Sequence, residues 1–154
     1  NRTVENHFKD LFRAHGESYE IARVIDMLKL VHLNDGERIL QSYPFQLSGG
    51  MQQRLAIALS LILKPSIVFA DEPTSALDML VQASVLDLMK EVTQALGATV
   101  IIVTHNIKSA ARIANSIGVM NKGQLVEVGS TEEVMACPKD EYTRVLLDSV
   151  TKVV

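Results

Sequence analysis

Apolar residues recur at helical spacing through the first part of the chain, in two separate runs. The first run consists of Val4, Phe8, Leu11 and Phe12, and the second of Ile21, Ile25, Leu28 and Val31. Because residues three and four apart share one face of a helix, the two runs predict two amphipathic helices. Gly16 is predicted to end the first helix and Ser18 to cap the second, with a turn at residues 34–36.

The second part of the chain contains short runs of continuously apolar residues, at 67–70, 100–103 and 117–120. Runs of this length predict strands that are buried on both faces of a parallel sheet. A long amphipathic segment at 79–96 lies between the first two runs, and a shorter one at 107–114 lies between the second and third. Strands that alternate with helices in this way indicate an α/β fold.

Turn and capping signals organise the last part of the chain. Residues 121–123 predict a hairpin turn into a strand at 125–128, and Ser130 is predicted to cap a short helix. A final helix is predicted from about residue 141 to 150, with Tyr142, Val145 and Leu146 packed inward. We therefore expect a helical subdomain at 1–60, an α/β core at 61–130 and a helical tail at 131–154.

The composition narrows the class of protein. Hydrophobic residues make up 47% and charged residues 21% of the 154 residues, as in globular domains and unlike disordered chains. The formal net charge of −3 argues against a protein that binds nucleic-acid phosphates, because such a protein needs a basic excess. The single cysteine, Cys137, cannot form an internal disulfide, which favours a reducing compartment. The longest apolar stretch, 55–63, is about half of what a membrane-spanning helix needs, so it predicts a buried helix.

The string LSGGMQQR at 47–54 carries the first candidate chemistry. A serine and two glycines stand directly before a long apolar helix. Unpaired N–H groups at a helix start, with no Cβ at two positions, can bind a phosphate oxygen. A bare Ser-Gly-Gly is more often only a capped helix, but the complete string resembles the signature motif of ABC-type ATPases. The resemblance implies that Ser48, Gly49, Gly50 and Gln53 bind ATP held by the P-loop of a second subunit.

The string IVFADEP at 67–73 ends a predicted strand in two adjacent acids. Carboxylates at the carboxyl end of a strand lie where α/β proteins bind ligands. The string resembles the Walker B motif, which follows the signature helix in ABC ATPases. By that resemblance Asp71 would help to hold Mg²⁺, and Glu72 would polarise the attacking water during ATP hydrolysis.

Two further positions complete the resemblance. Asp78 is predicted to cap the helix at 79–96, and SALD at 75–78 also matches the D-loop, which contacts the partner subunit across the nucleotide. A lone histidine is more often structural, but His105 stands after the second strand, as the family's switch histidine does. By resemblance it would reach the γ-phosphate. Asn106 differs from the aspartate that many relatives have at this position.

A P-loop is absent, because no glycine in the chain is followed by lysine, as G-x-x-x-x-G-K-[ST] requires. We therefore expect a partial P-loop NTPase fold of the ABC ATPase type, with a helical subdomain and an incomplete parallel sheet that lacks the P-loop strand. We also expect weak or no binding of MgATP, no meaningful hydrolysis by the chain alone, and self-association through exposed sheet edges. The first residue is Asn1 rather than methionine, which indicates a processed chain or a piece of a longer one.

The segment CPKDEYTRVLL at 137–147 resembles one that follows the catalytic core in oligopeptide, dipeptide and nickel importer ATPases. The resemblance implies an ATPase subunit that powers import of peptides or similar small solutes from the cytoplasmic face of a membrane. Its partners would be a second ATPase subunit, paired head to tail, and transmembrane permease subunits. Two alternatives stay open. One is a soluble ABC ATPase of translation or chromosome maintenance, and the other is a non-enzymatic module that presents its signature loop to a partner's P-loop.

Overall fold

The structure is a computed structural model in which residues 2–75 and 77–151 are described. The chain divides after Val103 into two compact units. The elements of the first unit are α1 (Val4–Ala14), α2 (Ile21–Leu30), α3 (Gly36–Gln41), α4 (Gly49–Leu61), β1 (Ile67–Asp71), α5 (Met79–Leu96) and β2 (Thr99–Val103). The elements of the second unit are α6 (Ile107–Ile113), β3 (Ser116–Asn121), β4 (Gln124–Ser130), α7 (Thr131–Ala136) and α8 (Glu141–Thr151). These elements confirm the predicted mixed α/β fold.

One hydrophobic core joins the helices of the first unit to its sheet. Its buried members include Val4, Phe8 and Phe12 of α1, Leu55, Ala58 and Leu61 of α4, and Val85, Leu88 and Val92 of α5. Burial of each large side chain stabilises the fold by roughly 1.5–3 kcal/mol. The predicted apolar faces of α1 and α5 and the predicted buried helix α4 are therefore confirmed. Within the described residues, no helix combines the length and apolar character needed to cross a membrane.

The helix α2 differs from its prediction at its start and in its buried face. It begins at Ile21 after Glu20, without a side-chain cap, so the prediction of Ser18 as its cap is wrong. Ile21 is 53% exposed, whereas Val24 and Leu28 are fully buried. The helix faces the core through the stripe of Val24 and Leu28. Spacing alone did not separate this stripe from its neighbour, because apolar residues cover more than one face of α2.

The strands β1 and β2 form a two-stranded parallel sheet, with α5 as their connection. Its covered face packs on the core through Val68, Ala70, Val100 and Ile102. Its other face exposes Ile67, Phe69, Ile101 and Val103, and Phe69 is 76% exposed. The prediction that these strands are buried on both faces is therefore wrong. The reason is that the core with which the sheet packs lies on one face only.

The third apolar run is not part of the parallel sheet. The strand β3 pairs with β4 as an antiparallel hairpin in the second unit. Lys122 and Gly123 have φ angles of 49° and 79°, which is the turn geometry that two-residue hairpins favour. The predicted hairpin is thus confirmed, and the prediction of a third strand buried on both faces of the parallel sheet is wrong. A strand followed by such a tight turn pairs with its sequence neighbour, which leaves Ile117 and Val119 buried and Met120 exposed.

The predicted helical tail is present as α7 and α8. Ser130 caps α7, since its hydroxyl oxygen accepts the N–H of Glu133 at 3.2 Å. In α8, Thr143 is fully buried, whereas Tyr142 and Val145 are exposed, so the prediction that these two pack inward is wrong. Residues 152–154 of the predicted tail lie outside the described residues. The expected division by role into 1–60, 61–130 and 131–154 stays a prediction.

Two carboxylates order the start of α8 and set the face that it buries. The Oδ1 atom of Asp140 accepts the N–H groups of Tyr142 at 2.8 Å and Thr143 at 3.3 Å. The carboxylate of Glu127 on β4 accepts the N–H groups of Lys139 at 2.8 Å and Asp140 at 3.2 Å. These bonds fix the first turn of the helix against the hairpin, and with it the rotation of the helix about its axis.

Candidate functional site

The signature string forms the start of α4. Ser48 is the N-cap, because its hydroxyl oxygen accepts the N–H of Met51 at 3.4 Å and its carbonyl accepts the N–H of Gln52 at 2.9 Å. Gly49 and Gly50 occupy the first turn, where a helix offers no acceptor for the N–H groups. Ser48 and Gly49 are exposed and Gly50 is half-buried. The loop therefore presents backbone donors of the kind that bind phosphate oxygens.

Packing inside the chain does not require either glycine. A Cβ at Gly49 would lie 3.7 Å from Leu77, and one at Gly50 would lie 3.4 Å from Val81, both of which are contact distances without overlap. Neither glycine has a positive φ. Glycine inside a helix costs roughly 0.5–1 kcal/mol relative to alanine. Neither packing nor backbone conformation within the described residues therefore explains the two glycines.

The predicted Walker B acids lie at the end of β1 and in the tight turn that follows. Glu72 has a φ of 43°, which residues other than glycine rarely adopt. Its N–H donates to the Val103 carbonyl at 2.9 Å, and its carbonyl accepts the N–H of Ser75 at 3.2 Å. The Ser75 hydroxyl donates to the same carbonyl at 3.2 Å. Several hydrogen bonds thus hold Glu72 in a backbone conformation that residues other than glycine rarely adopt.

Asp71 has an exposed side chain at the carboxyl end of the sheet. In the described ranges no three or more metal-binding side chains cluster together. Mg²⁺ in nucleotide sites is commonly held by one or two carboxylates together with phosphate oxygens. Asp71 therefore fits a Mg²⁺ ion that is bound at the same time by phosphate, and it does not form a closed metal site of protein ligands.

The structure confirms the predicted role of Asp78 as the cap of α5. Its Oδ1 atom accepts the N–H of Val81 at 3.0 Å, which makes it the N-cap of α5. The side chain of the preceding Leu77 lies beside the signature loop, because a Cβ added at Gly49 would be 3.7 Å from it. Ala76, which belongs to the SALD match, lies outside the described residues.

His105 lies in the second unit, directly before α6, and its side chain is exposed. The following Asn106 caps this helix, because its Oδ1 atom accepts the N–H groups of Lys108 at 3.1 Å and Ser109 at 3.2 Å. An aspartate would make the same two bonds through a carboxylate oxygen. The departure from the family's usual aspartate therefore leaves the local structure around His105 intact.

The first unit brings together the signature loop, the turn that carries Glu72, and the D-loop. Gln53 donates from its side-chain amide to the Pro73 carbonyl, and Leu77 lies beside Gly49 of the loop. The sequence prediction placed Gln53 against nucleotide and assigned no role to Gln52 or Arg54. The geometry of a helix could have indicated this difference. Consecutive residues of a helix point in different directions, so Gln52, Gln53 and Arg54 are expected to contact different segments.

Two open clefts lie away from these residues. One, of about 430 Å³, lies in the second unit and is lined by residues of α6, α7 and α8 and by Pro138. The other, of about 500 Å³, lies in the first unit between α2, the segment after α4 and the last residue of α5. Neither cleft is lined by a predicted site residue, so the candidate site is the exposed loop and turn described above.

Comparison with known proteins gives consistent matches. Residues 1–75 match a family described as ABC transporter. The chain is 46% identical over 154 residues to a dipeptide transport ATP-binding protein of Caldanaerobacter subterraneus subsp. tengcongensis, covering 97% of this chain and 47% of the relative. It is 39% identical over 149 residues to an oligopeptide transport ATP-binding protein of Lactococcus lactis subsp. cremoris, covering 95% of this chain and 44% of the relative. It is 41% identical over 151 residues to a glutathione import ATP-binding protein of Salmonella paratyphi A, covering 96% of this chain and 24% of the relative.

These comparisons agree with the motifs in the sequence. The chain spans less than half of the length of each of these relatives. The part that matches the family includes both the signature string and the turn that carries Glu72. Each of the three relatives is an ATP-binding protein of transport or import. The chain therefore belongs to the ABC transporter family.

Proposed function

We propose that this chain is the signature-bearing half of an ATP-hydrolysing subunit that powers an importer for peptides or similar small solutes. The observation that carries the proposal is the pair of glycines in the first turn of α4, of which Gly49 is exposed and Gly50 is half-buried. Packing does not require them, and Gln53 of the same helix donates to the carbonyl of Pro73, which follows Glu72. The solute class rests on the relatives, which are transport proteins for dipeptides, oligopeptides and glutathione.

In this proposal the signature loop binds nucleotide held by the P-loop of another subunit. The free N–H groups of Gly49 and Gly50, with the Ser48 side chain, donate to the γ-phosphate. Asp78 borders the same site through the D-loop. In this structure the side-chain amide of Gln53 donates to the Pro73 carbonyl. The predicted direct contact of Gln53 with the nucleotide therefore stays a prediction.

MgATP supplies the phosphoryl group that is transferred to water. Asp71 would be a ligand of Mg²⁺, which would neutralise charge on the phosphates, and Glu72 would orient the water and accept its proton. His105 donates a hydrogen bond to the γ-phosphate. The sequence contains no P-loop lysine, so we propose that the chain by itself binds MgATP weakly and does not hydrolyse it.

The proposed partners follow from this arrangement. They are a second ATPase subunit, paired head to tail, and transmembrane permease subunits, with the chain on the cytoplasmic face of the membrane. The relatives, which are dipeptide and oligopeptide transport proteins, support transport, and the net charge of −3 supports the exclusion of nucleic acid as a partner. A soluble ABC ATPase of translation or chromosome maintenance is therefore the less favoured alternative.

A second candidate function is a non-catalytic module that presents its signature loop to the P-loop of a partner. The exposed first turn of α4, in a sequence without a P-loop, favours this candidate. The two candidates share the binding surface. They differ in whether Glu72 then contributes to hydrolysis.

Reconstitution with a P-loop distinguishes the two candidates. The chain is titrated with MgATP by calorimetry, alone and mixed with the N-terminal half of the Caldanaerobacter relative. We expect no micromolar binding by the chain alone, and ATPase activity in the mixture that falls by about 10²- to 10⁴-fold in Glu72→Gln. Glu37→Gln, an exposed acid on α3, is the control and keeps the activity. A mixture that binds but does not hydrolyse favours the module, and micromolar binding by the chain alone overturns the proposal of an incomplete site.

A further inference from the structure

Gln53 of α4 reaches the turn that carries Glu72. Its side-chain amide donates to the carbonyl of Pro73, and both residues are half-buried. Pro73 directly follows Glu72 in the chain, so this bond joins the signature helix to the backbone next to the catalytic carboxylate. A carbonyl oxygen only accepts hydrogen bonds, so the partner must be a donor such as the amide N–H of glutamine.

The two residues that follow and precede Gln53 on α4 reach other segments. Gln52 donates to the carbonyls of Pro44 at 2.9 Å and Leu47 at 3.1 Å, which holds the loop before the signature. Arg54 donates to the Val31 carbonyl at 3.3 Å and to a serine hydroxyl on α5. Consecutive helical positions point about 100° apart. Of these three side chains, Gln53 is the one directed at the turn of Glu72.

Other hydrogen bonds fix the turn to β2 and to itself. The N–H of Glu72 is bonded to Val103, and its carbonyl is bonded to Ser75. The Thr74 carbonyl accepts the N–H of Leu77 at 3.1 Å. None of these bonds connects the turn to α4. The bond from Gln53 to Pro73 makes that connection directly.

The signature loop and Gln53 lie on the same side of α4. Gly49 and Gln53 are four residues apart, and residues four apart share a helical face. Because a helix moves as a rigid element, a displacement of its first turn also displaces the Gln53 amide. The Pro73 carbonyl is the group that receives this displacement, and the Glu72 backbone adjoins it.

We propose that Gln53 is a positioning residue that couples the signature loop to Glu72 of the same chain through the Pro73 carbonyl. The inference rests on the proposed function, because it assigns Glu72 to the hydrolysis of ATP. When nucleotide binds at the first turn of α4 and displaces the helix, the bond from Gln53 also displaces the turn of Glu72 in the same chain. Gln53 thus acts on the orientation of the carboxylate and not on the affinity for nucleotide.

The kinetic test separates this role from direct contact with nucleotide. Gln53→Leu removes the donor without adding charge, and Gln53→Glu keeps the side-chain length but replaces the donor by an acceptor. Gln94→Leu and Gln94→Glu, at an exposed position of α5, are the matched controls. In the reconstituted ATPase we expect kcat to fall about tenfold in both Gln53 variants with KM for MgATP within about twofold of the original. A raised KM with unchanged kcat, or no change in either, overturns the proposal.

Hydrogen exchange in the chain alone provides a readout that does not depend on hydrolysis. We expect the amides of Glu72 and Ser75 to exchange about tenfold faster in Gln53→Leu, with the amides of Val85 and Val92 in the core of α5 unchanged. Faster exchange at all four positions indicates global loss of stability, in which case the milder Gln53→Asn is measured instead. Unchanged exchange at Glu72 and Ser75 overturns the coupling. If the mixture never hydrolyses ATP but this exchange changes, the proposed function fails while the structural link stands.

Discussion

At Gly49 and Gly50, the stability of α4 and its proposed contact with phosphate favour different residues. The conflict is visible because neither glycine has a positive φ and a Cβ at either position would meet ordinary contact distances. Side chains at these positions would lie on the surface where a phosphate approaches the free N–H groups. Stability and binding therefore favour different residues at the same two positions.

We expect Gly49→Ala and Gly50→Ala each to raise the free energy of unfolding by about 0.5 kcal/mol, since alanine restricts the unfolded chain and favours the helix. The same variants lower the reconstituted ATPase activity more than about tenfold, because a methyl group obstructs the phosphate. Urea unfolding and steady-state kinetics measure the two effects. Gly97→Ala is the control and destabilises by about 1 kcal/mol, because Gly97 has a φ of 68°. Destabilisation by alanine at Gly49 or Gly50 would contradict this account.

Hydrogen bonds between elements determine how the tail packs in the second unit. The helix α8 is amphipathic, but its apolar residues did not predict the buried face. Glu127 of β4 and Asp140 fix the first turn of α8, and Thr143 rather than Tyr142 or Val145 then becomes fully buried. The Glu127 carboxylate thus contributes to the contact between the hairpin and α8.

The pKa of Glu127 is held below its ordinary value of 4.5, first by the N–H of Lys139 and also by the N–H of Asp140. Because the folded pKa is lowered, this stabilisation is present above pH 4.5 and is lost as the pH falls through the folded pKa. We expect the amide ¹H shift of Lys139, whose N–H donates to Glu127, to titrate in this acid range. The amplitude of this titration falls severalfold in Glu127→Gln and is unchanged in the control Glu132→Gln. An amplitude that is unchanged in Glu127→Gln would assign the effect to another group.

The whole chain presents more apolar surface than its cores require. The sheet of β1 and β2 exposes one face, and both of its strands are edge strands. Phe69 and Ile101 lie opposite each other in the register of this sheet, so they form a continuous apolar patch. Exposed edges and patches of this kind favour association with other chains.

We expect the isolated chain to self-associate through this sheet at tens of micromolar concentration, since burial of each such side chain contributes roughly 1.5–3 kcal/mol. The double variant Phe69→Lys and Ile101→Lys shifts the chain toward monomer in sedimentation velocity experiments. Met120→Lys, at an exposed position of β3, is the control and leaves the association unchanged. The P-loop half of a relative suppresses self-association when it is added. A native chain that is monomeric over the whole concentration range would refute the prediction.

Several features of the site and of the fold were predictable because they depend on residues close in sequence. The capping of α5 by Asp78 and of α7 by Ser130, and the hairpin turn at Lys122 and Gly123, each involve neighbours within a few positions. The signature and Walker B strings were recognisable as strings. The hydrogen bond from Gln53 to Pro73 was not predictable, because the pattern of α4 does not indicate what lies opposite it.

The sequence by itself determined the position of most helices and strands, the order of the motifs and membership in the ABC transporter family. The helices and strands follow from hydrophobic spacing and from short-range capping and turn chemistry, whereas the family follows from the resemblance of its motif strings. The tertiary structure alone decided which faces of α2 and α8 are buried, that β3 does not join the parallel sheet of β1 and β2, and that Gln53 bonds to a residue 20 positions away. The physical reason is that such contacts depend on the packing of segments against one another, and a periodic pattern does not specify its partner.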